Sequence, residues 1–90
     1  MHFTREGLNT FLQTFDQNKQ SIRNFDGCTH LELLLDIKDP LTYTTLSHWK
    51  DEESLERYRQ STLFTTVWKQ VKPLFSKQPE AFSLMTRTAL

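Results

Sequence analysis

The sequence predicts a single α+β domain over residues 1–90, an antiparallel sheet with helices on one face. Three observations predict it. The chain opens with apolar residues at helical spacing. Two alternating stretches follow, joined by a short Lys-Asp-Pro turn. A second helical region comes after them, its apolar phase slipping once.

Thr4 stands as N-cap of the first helix, and Glu6 places an acid in its first turn. Leu8, Phe11, Leu12 and Phe15 recur at i, i+3, i+4 and i+7, and Ile22 extends the stripe, so the helix is expected over residues 5–24. Phe25-Asp26-Gly27 ends it, with Gly27 as the turn residue. Thr29 to Ile37 reads as a strand with Leu31, Leu33, Leu35 and Ile37 on one face. His30, Glu32, Leu34 and Asp36 occupy the other. After the turn at Lys38-Asp39-Pro40, Thr42 to Trp49 is β-branched and aromatic and reads as the hairpin partner. Tyr43, Thr45, Ser47 and Trp49 share one of its sides, and Thr44, Leu46 and His48 the other.

Asp51 caps the next helix, whose inner face carries Leu55 and Tyr58. The slip at Gln60-Ser61-Thr62 predicts a break, with Ser61 capping a second piece built on Phe64, Val67, Trp68 and Val71. Pro73 and Pro79 bracket a loop, and Ala81 to Thr88 alternates as a last strand. The order helix, hairpin, helix pair, strand is a ferredoxin-like split βαβ pattern with its first strand truncated to Met1–Phe3.

Composition narrows the function. Eleven Lys+Arg balance eleven Asp+Glu, which argues against nucleic-acid binding through a general positive field. RNA recognition through the middle strands would need exposed aromatics and a basic surface, and only Tyr43 is available for it. The longest uncharged apolar run is Leu33 to Leu35, so no membrane-spanning segment is expected. One cysteine, Cys28, excludes an internal disulfide and fits a reduced, cytoplasmic setting; it reads as a small buried residue. A chain this short buries only ~60–65% of its unfolded surface, so a homodimer covering one face of each subunit is expected.

No HxH, HxxxH or CxxC spacing appears, so no metal site is expected, and two glycines cannot build a phosphate loop. His30 and Glu32, two apart on one strand face, can share a proton; the bland alternative is a polar face meeting water or a partner. His48 is a candidate base or a surface histidine. Trp49, Tyr58, Phe64 and Trp68 are either core rings or the wall of a site for a planar apolar substrate, and one wall can be both.

Three stretches carry a family resemblance. They are Gly27-Cys28-Thr29-His30-Leu31-Glu32-Leu33-Leu34, then Ser47-His48-Trp49-Lys50-Asp51-Glu52-Glu53-Ser54-Leu55, and Tyr58-Arg59-Gln60-Ser61 with Phe64. In this order the chain resembles the antibiotic-biosynthesis monooxygenase (ABM) domain family, almost throughout from Thr4 onward. The resemblance implies a dimeric α+β barrel in which two ferredoxin-like subunits pack sheet against sheet. It also implies a small pocket between sheet and helices. The family includes cofactor-free oxygenases of polyketide aromatics, haem-degrading enzymes and isomerases of small signalling molecules.

Its haem-degrading branch uses an Asn on the first strand, a Trp on the second helix and a His as iron ligand. Tyr58 and Trp68 stand at the latter two positions, and tryptophan does not ligate iron, so haem chemistry is not expected. In the family the first strand extends several residues before the Met-x-Phe position, so either the gene start lies upstream of Met1, which is the favoured expectation, or a stub stands where a central strand belongs. The leading expectation is cofactor-free oxidation of a small, electron-rich aromatic or quinone-like ligand. In it Trp49, Phe64 and Trp68 bind, and His48, Tyr58 and His30 act in proton transfer. The rival is a non-catalytic small-molecule-binding or regulatory dimer of the same fold.

Overall fold

A computed structural model describes residues 1–90. Helix α1 (Arg5–Arg23) leads into the strands β1 (Cys28–Leu35) and β2 (Tyr43–Trp49). Helices α2 (Glu52–Arg59) and α3 (Thr62–Val71) follow, and a single 3-10 turn (Lys72–Leu74) continues α3. Thr4 Oγ1 accepts the Gly7 N–H at 3.0 Å and caps α1 as expected. The predicted break in the second helical region lies between Arg59 and Thr62. Ser61 makes it: its Oγ accepts the Phe64 N–H at 3.1 Å and donates to the Tyr58 carbonyl at 2.6 Å. One hydroxyl thus ends α2 and starts α3. Ser61→Ala is expected to destabilise the protein by about 1 kcal/mol in urea unfolding, with Ser61→Thr much closer to wild type.

β1 and β2 form an antiparallel hairpin with Leu31 opposite Ser47, Leu33 opposite Thr45 and His30 opposite His48. The register shifts between Cys28 and His30, leaving Thr29 as the extra residue of a bulge. The bulge turns Cys28 and His30, two residues apart, to opposite faces. Cys28 opposes Trp49 and is buried, as its small apolar reading anticipated.

Residues 1–3 occupy the first-strand position and pair on both sides. Met1 and Tyr43 exchange backbone bonds of 2.8 and 2.9 Å, and the Phe3 N–H reaches the Leu41 carbonyl at 2.9 Å. On the far side Phe3 bridges Phe75, and the Ser76 N–H donates to the His2 carbonyl at 2.7 Å. The spatial order is therefore Phe75, residues 1–3, β2, β1, which is the ferredoxin-like order in abbreviated form.

Three expectations change. Ala81–Thr88 forms no strand; the fourth sheet position is taken by Phe75, inside the stretch read as a loop. β1 stops at Leu35, leaving Ile37 almost fully exposed, because Asp36 turns to accept the Lys38 and Asp39 N–H groups. Thr42 bridges His2 just ahead of β2, and its hydroxyl donates to Asp39 at 2.7 Å. That bond, with the Leu41 N–H, holds the Asp39 carboxyl below the ordinary carboxylate range.

All helices lie on one side of the sheet. Phe3, Phe11 and Val71 are its buried centre, and Leu8, Leu12, Phe15, Leu33, Tyr43, Val67 and Phe75 pack around them. The opposite face, carrying His30, Glu32, Leu34, Thr44, Leu46 and His48, has nothing over it. No helix is long and apolar enough to cross a membrane.

Candidate functional site

Strand alternation and the bulge place Trp49 on the helix side of the sheet, where it meets Tyr58 from α2 and Phe25 from the turn after α1. Trp49 and Tyr58 stack at 5.0 Å between centroids, and Phe25 lies edge-on to both, at 6.1 and 5.3 Å. Tyr58 meets Phe64 at 5.2 Å, and Phe64 lies parallel to Trp68 at 6.1 Å. Trp68 reaches Phe75 at 5.7 Å, and Phe75 reaches Phe3 at 5.3 Å. The four predicted ring residues thus form one continuous row beneath the sheet.

Phe25 and Phe75 join this row, and sequence reading missed both. One lies in a turn and the other in a proline-flanked loop, where periodicity assigns no face. Their only sequence signal is that they are large aromatics in segments that otherwise read as exposed. The rings fill much of their own space. The Trp49 indole N–H donates to Ser47 Oγ at 2.9 Å, so it is already engaged.

Burial pushes the Tyr58 phenol up to about 12, with the neighbouring Cys28 thiol adding to the shift. At neutral pH Tyr58 is a hydrogen-bond donor and not a base. The shift has a stability consequence with a definite sign. The folded phenol holds its proton more tightly than the unfolded one, whose ordinary value is 10.0. The contribution is complete below pH 10 and is lost as pH rises toward about 12. In an ultraviolet titration one tyrosine is expected to ionise near pH 12, and Tyr58→Phe should remove that step. Two tyrosines ionising together at the ordinary value would contradict the burial of this ring.

The histidines lie elsewhere. His30 and His48 oppose each other across the hairpin with centroids 4.9 Å apart, on the uncovered face. His30 Nε2 is 2.5 Å from Glu32 Oε1, and both side chains are 43% exposed. The predicted His30–Glu32 pair therefore exists, with His48 beside it. The sheet separates this cluster from Tyr58 and the ring row. Within one subunit the two halves of the expected site do not share a cavity. No three His, Cys, Asp or Glu side chains converge on a metal position.

A shallow cleft of about 160 Å³ lies between α1 and β1, lined by Phe15, Lys19, Gln20, Arg23, Leu31 and Leu33. It adjoins the outer edge of β1, where Arg23 donates to the Cys28 carbonyl at 2.9 Å.

Comparison with known proteins places this geometry. The family model described as antibiotic biosynthesis monooxygenase matches residues 1–70. A conserved protein from Methanosarcina mazei superposes with a TM-score of 0.83 at 22% identity, covering 88% of this chain and 78% of that one. Rv0793 from Mycobacterium tuberculosis gives 0.81 at 14% identity, covering 97% and 91%. A crystal structure of an antibiotic biosynthesis monooxygenase gives 0.78 at 17% identity, covering 91% and 92%. At these identities the likeness establishes the fold. No curated protein sequence matches the chain.

Proposed function

Because this chain belongs to the antibiotic biosynthesis monooxygenase family, we propose that it is a cofactor-independent oxygenase of a small, electron-rich hydroxyaromatic, working as a homodimer in the reducing cytoplasm. The row of rings carrying one firmly protonated phenol is the observation that carries the reading. A planar substrate stacks against Trp49, Phe64 and Trp68, and Tyr58 donates a hydrogen bond to its oxygen. The substrate itself supplies the electrons. Its phenolate or enolate passes one electron to O2, and the resulting radical pair combines at carbon as a hydroperoxide. Loss of water then leaves a new carbonyl. One oxygen atom enters the substrate, and the other leaves as water, which takes up the proton lost on ionisation and the hydrogen of the attacked carbon.

His30, backed by Glu32, and His48 are the proton acceptors of this proposal. They lie across the sheet from Tyr58, and a second subunit on the uncovered face would enclose them.

Oxygen uptake with a panel of hydroxyarenes tests the proposal. Turnover is expected to fall about 10–100-fold in His48→Ala and in Tyr58→Phe, the range of one proton-transfer or hydrogen-bonding group. A loss confined to Tyr58→Phe would place the substrate on the helix side alone. Turnover unchanged in both variants, or no oxygen uptake with any substrate, would refute the assigned roles.

The mutual packing of the rings favours a second reading, a non-catalytic dimer that binds a metabolite. A ligand that raises Tm without consuming oxygen would identify it.

A further inference from the structure

We infer that the substrate carries an acidic substituent, a carboxylate being the simplest, which Lys72 and Lys77 receive in the cleft where the row of rings ends at Phe75. The inference rests on the reading of the ring row as the binding wall. It adds the charge of the ligand and the end at which that charge lies.

The row leads to a cavity of the right size. Trp68 reaches Phe75 at 5.7 Å, and Phe75 lines a cleft of about 400 Å³ together with Lys72, Ser76, Lys77, Gln78 and Pro79. Small-molecule sites occupy roughly 300–1,000 Å³. The cleft between α1 and β1 has less than half of this volume and includes no ring of the row.

The lining is charged where the row is not. Beyond Phe75 and Pro79 the walls present two ammonium groups, a hydroxyl and an amide, with no carboxylate among them. The chain as a whole is neutral, so this positive excess is local. Its ion pairs are made by Lys19, His30, Lys50 and Arg57, and neither lysine of the cleft is in one. The Asp39 carboxyl senses the charge of Lys77, but its two oxygens are taken by the Leu41 N–H at 3.0 Å and the Thr42 hydroxyl at 2.7 Å. Lys72 closes α3, where a cation answers the helix dipole for its own sake. Lys77 stands beyond the 3-10 turn and has no such duty.

A second anchor is what the row lacks. A planar ligand stacked on rings and held by one hydrogen bond from Tyr58 stays free to turn in its own plane. A few placed polar groups are what fix orientation in an apolar site. Phe64 and Trp68 lie between Tyr58 and Phe75, so Tyr58 and the lysines stand at opposite ends of the stacking surface. Charge-assisted hydrogen bonds are about twice as strong as neutral ones. In a hydroxyarene acid the carboxyl is ionised at neutral pH and the hydroxyl is not, so the anchor acts before the ring is activated.

Isothermal titration calorimetry with 2-naphthol and 6-hydroxy-2-naphthoate, the same hydroxyarene without and with a carboxylate, tests the anchor. The wild type is expected to bind the hydroxynaphthoate about tenfold or more tightly than naphthol. Raising the salt should shrink that ratio. Lys72→Gln/Lys77→Gln, at two exposed positions where the fold should stand, should bring it close to one. Tyr58→Phe should weaken both ligands together. Equal affinities in the wild type, or a ratio that survives the double substitution, would overturn the anchor and leave the ring-row reading intact. Binding of neither ligand, or binding that Tyr58→Phe leaves unchanged, would overturn the ring-row reading and the anchor with it.

Discussion

Phe3→Ala is expected to remove about 3–5 kcal/mol of stability, the usual range for truncating a fully buried phenylalanine. Phe3 is 1% exposed and stacks on Phe11 at 4.5 Å. Tyr43 and Phe75 flank the same ring at 6.5 and 5.3 Å. One side chain therefore joins α1, β2 and the segment after α3. Its backbone meanwhile holds residues 1–3 between β2 and Phe75. Only five apolar residues are buried, so little else can take up the loss. A domain of this length has roughly 5–13 kcal/mol in total. Denaturant unfolding followed by tryptophan fluorescence would measure the change. Phe3→Leu, which keeps most of the volume, should cost less than about 1.5 kcal/mol. A loss below about 1 kcal/mol in the alanine variant would show that the ring does not join these elements.

Gly27→Ala is expected to cost about 2–5 kcal/mol, from two separate causes. Gly27 has φ 92°, where any side chain adds about 1–2 kcal/mol of steric cost. A Cβ there would also overlap Ser54 Cβ and Oγ, and overpacking adds about 1–3 kcal/mol. Ser54 is fully buried, so it has nowhere to move. The Gly27 carbonyl accepts the Lys50 N–H at 2.8 Å, tying the entry of β1 to the exit of β2. Displacing it would shift Trp49 against Tyr58 and Phe25, so a changed Trp49 emission should accompany the loss. A double-mutant cycle with Ser54→Gly separates the causes, because removing the Ser54 side chain relieves the overlap and leaves the backbone cost. Strict additivity of the two substitutions would mean that the overlap is absent.

The two predictions mark where sequence reading succeeded and where it stopped. Gly27 was legible as a turn residue because a positive φ selects glycine locally. Its contact with Ser54 was not, since that depends on how α2 lands on the hairpin. The break at Ser61 was legible because a capping hydroxyl coincides with a slip in apolar phase. Ala81–Thr88 shows the converse. Alternation records a capacity to pair, but a strand forms only against another strand, and this chain offers the segment none within reach. Phe75 took the fourth position without any alternating pattern, because its ring docks on Phe3.

The candidate site divides along the same line. The sequence by itself determined the ring residues Trp49, Tyr58, Phe64 and Trp68 and the His30–Glu32 pair, because helical and strand periods fix which side chains share a face. It also determined the order of helix, hairpin and helix pair, and the family, because these reside in local spacing. Only the tertiary structure decided that Phe25 and Phe75 complete the row, that the Tyr58 phenol is pushed up to about 12, and that the histidines lie across the sheet from it. Those facts depend on which face the helices cover. That choice is made by the whole packed core, with Phe3, Phe11 and Val71 at its centre, and no single segment contains it.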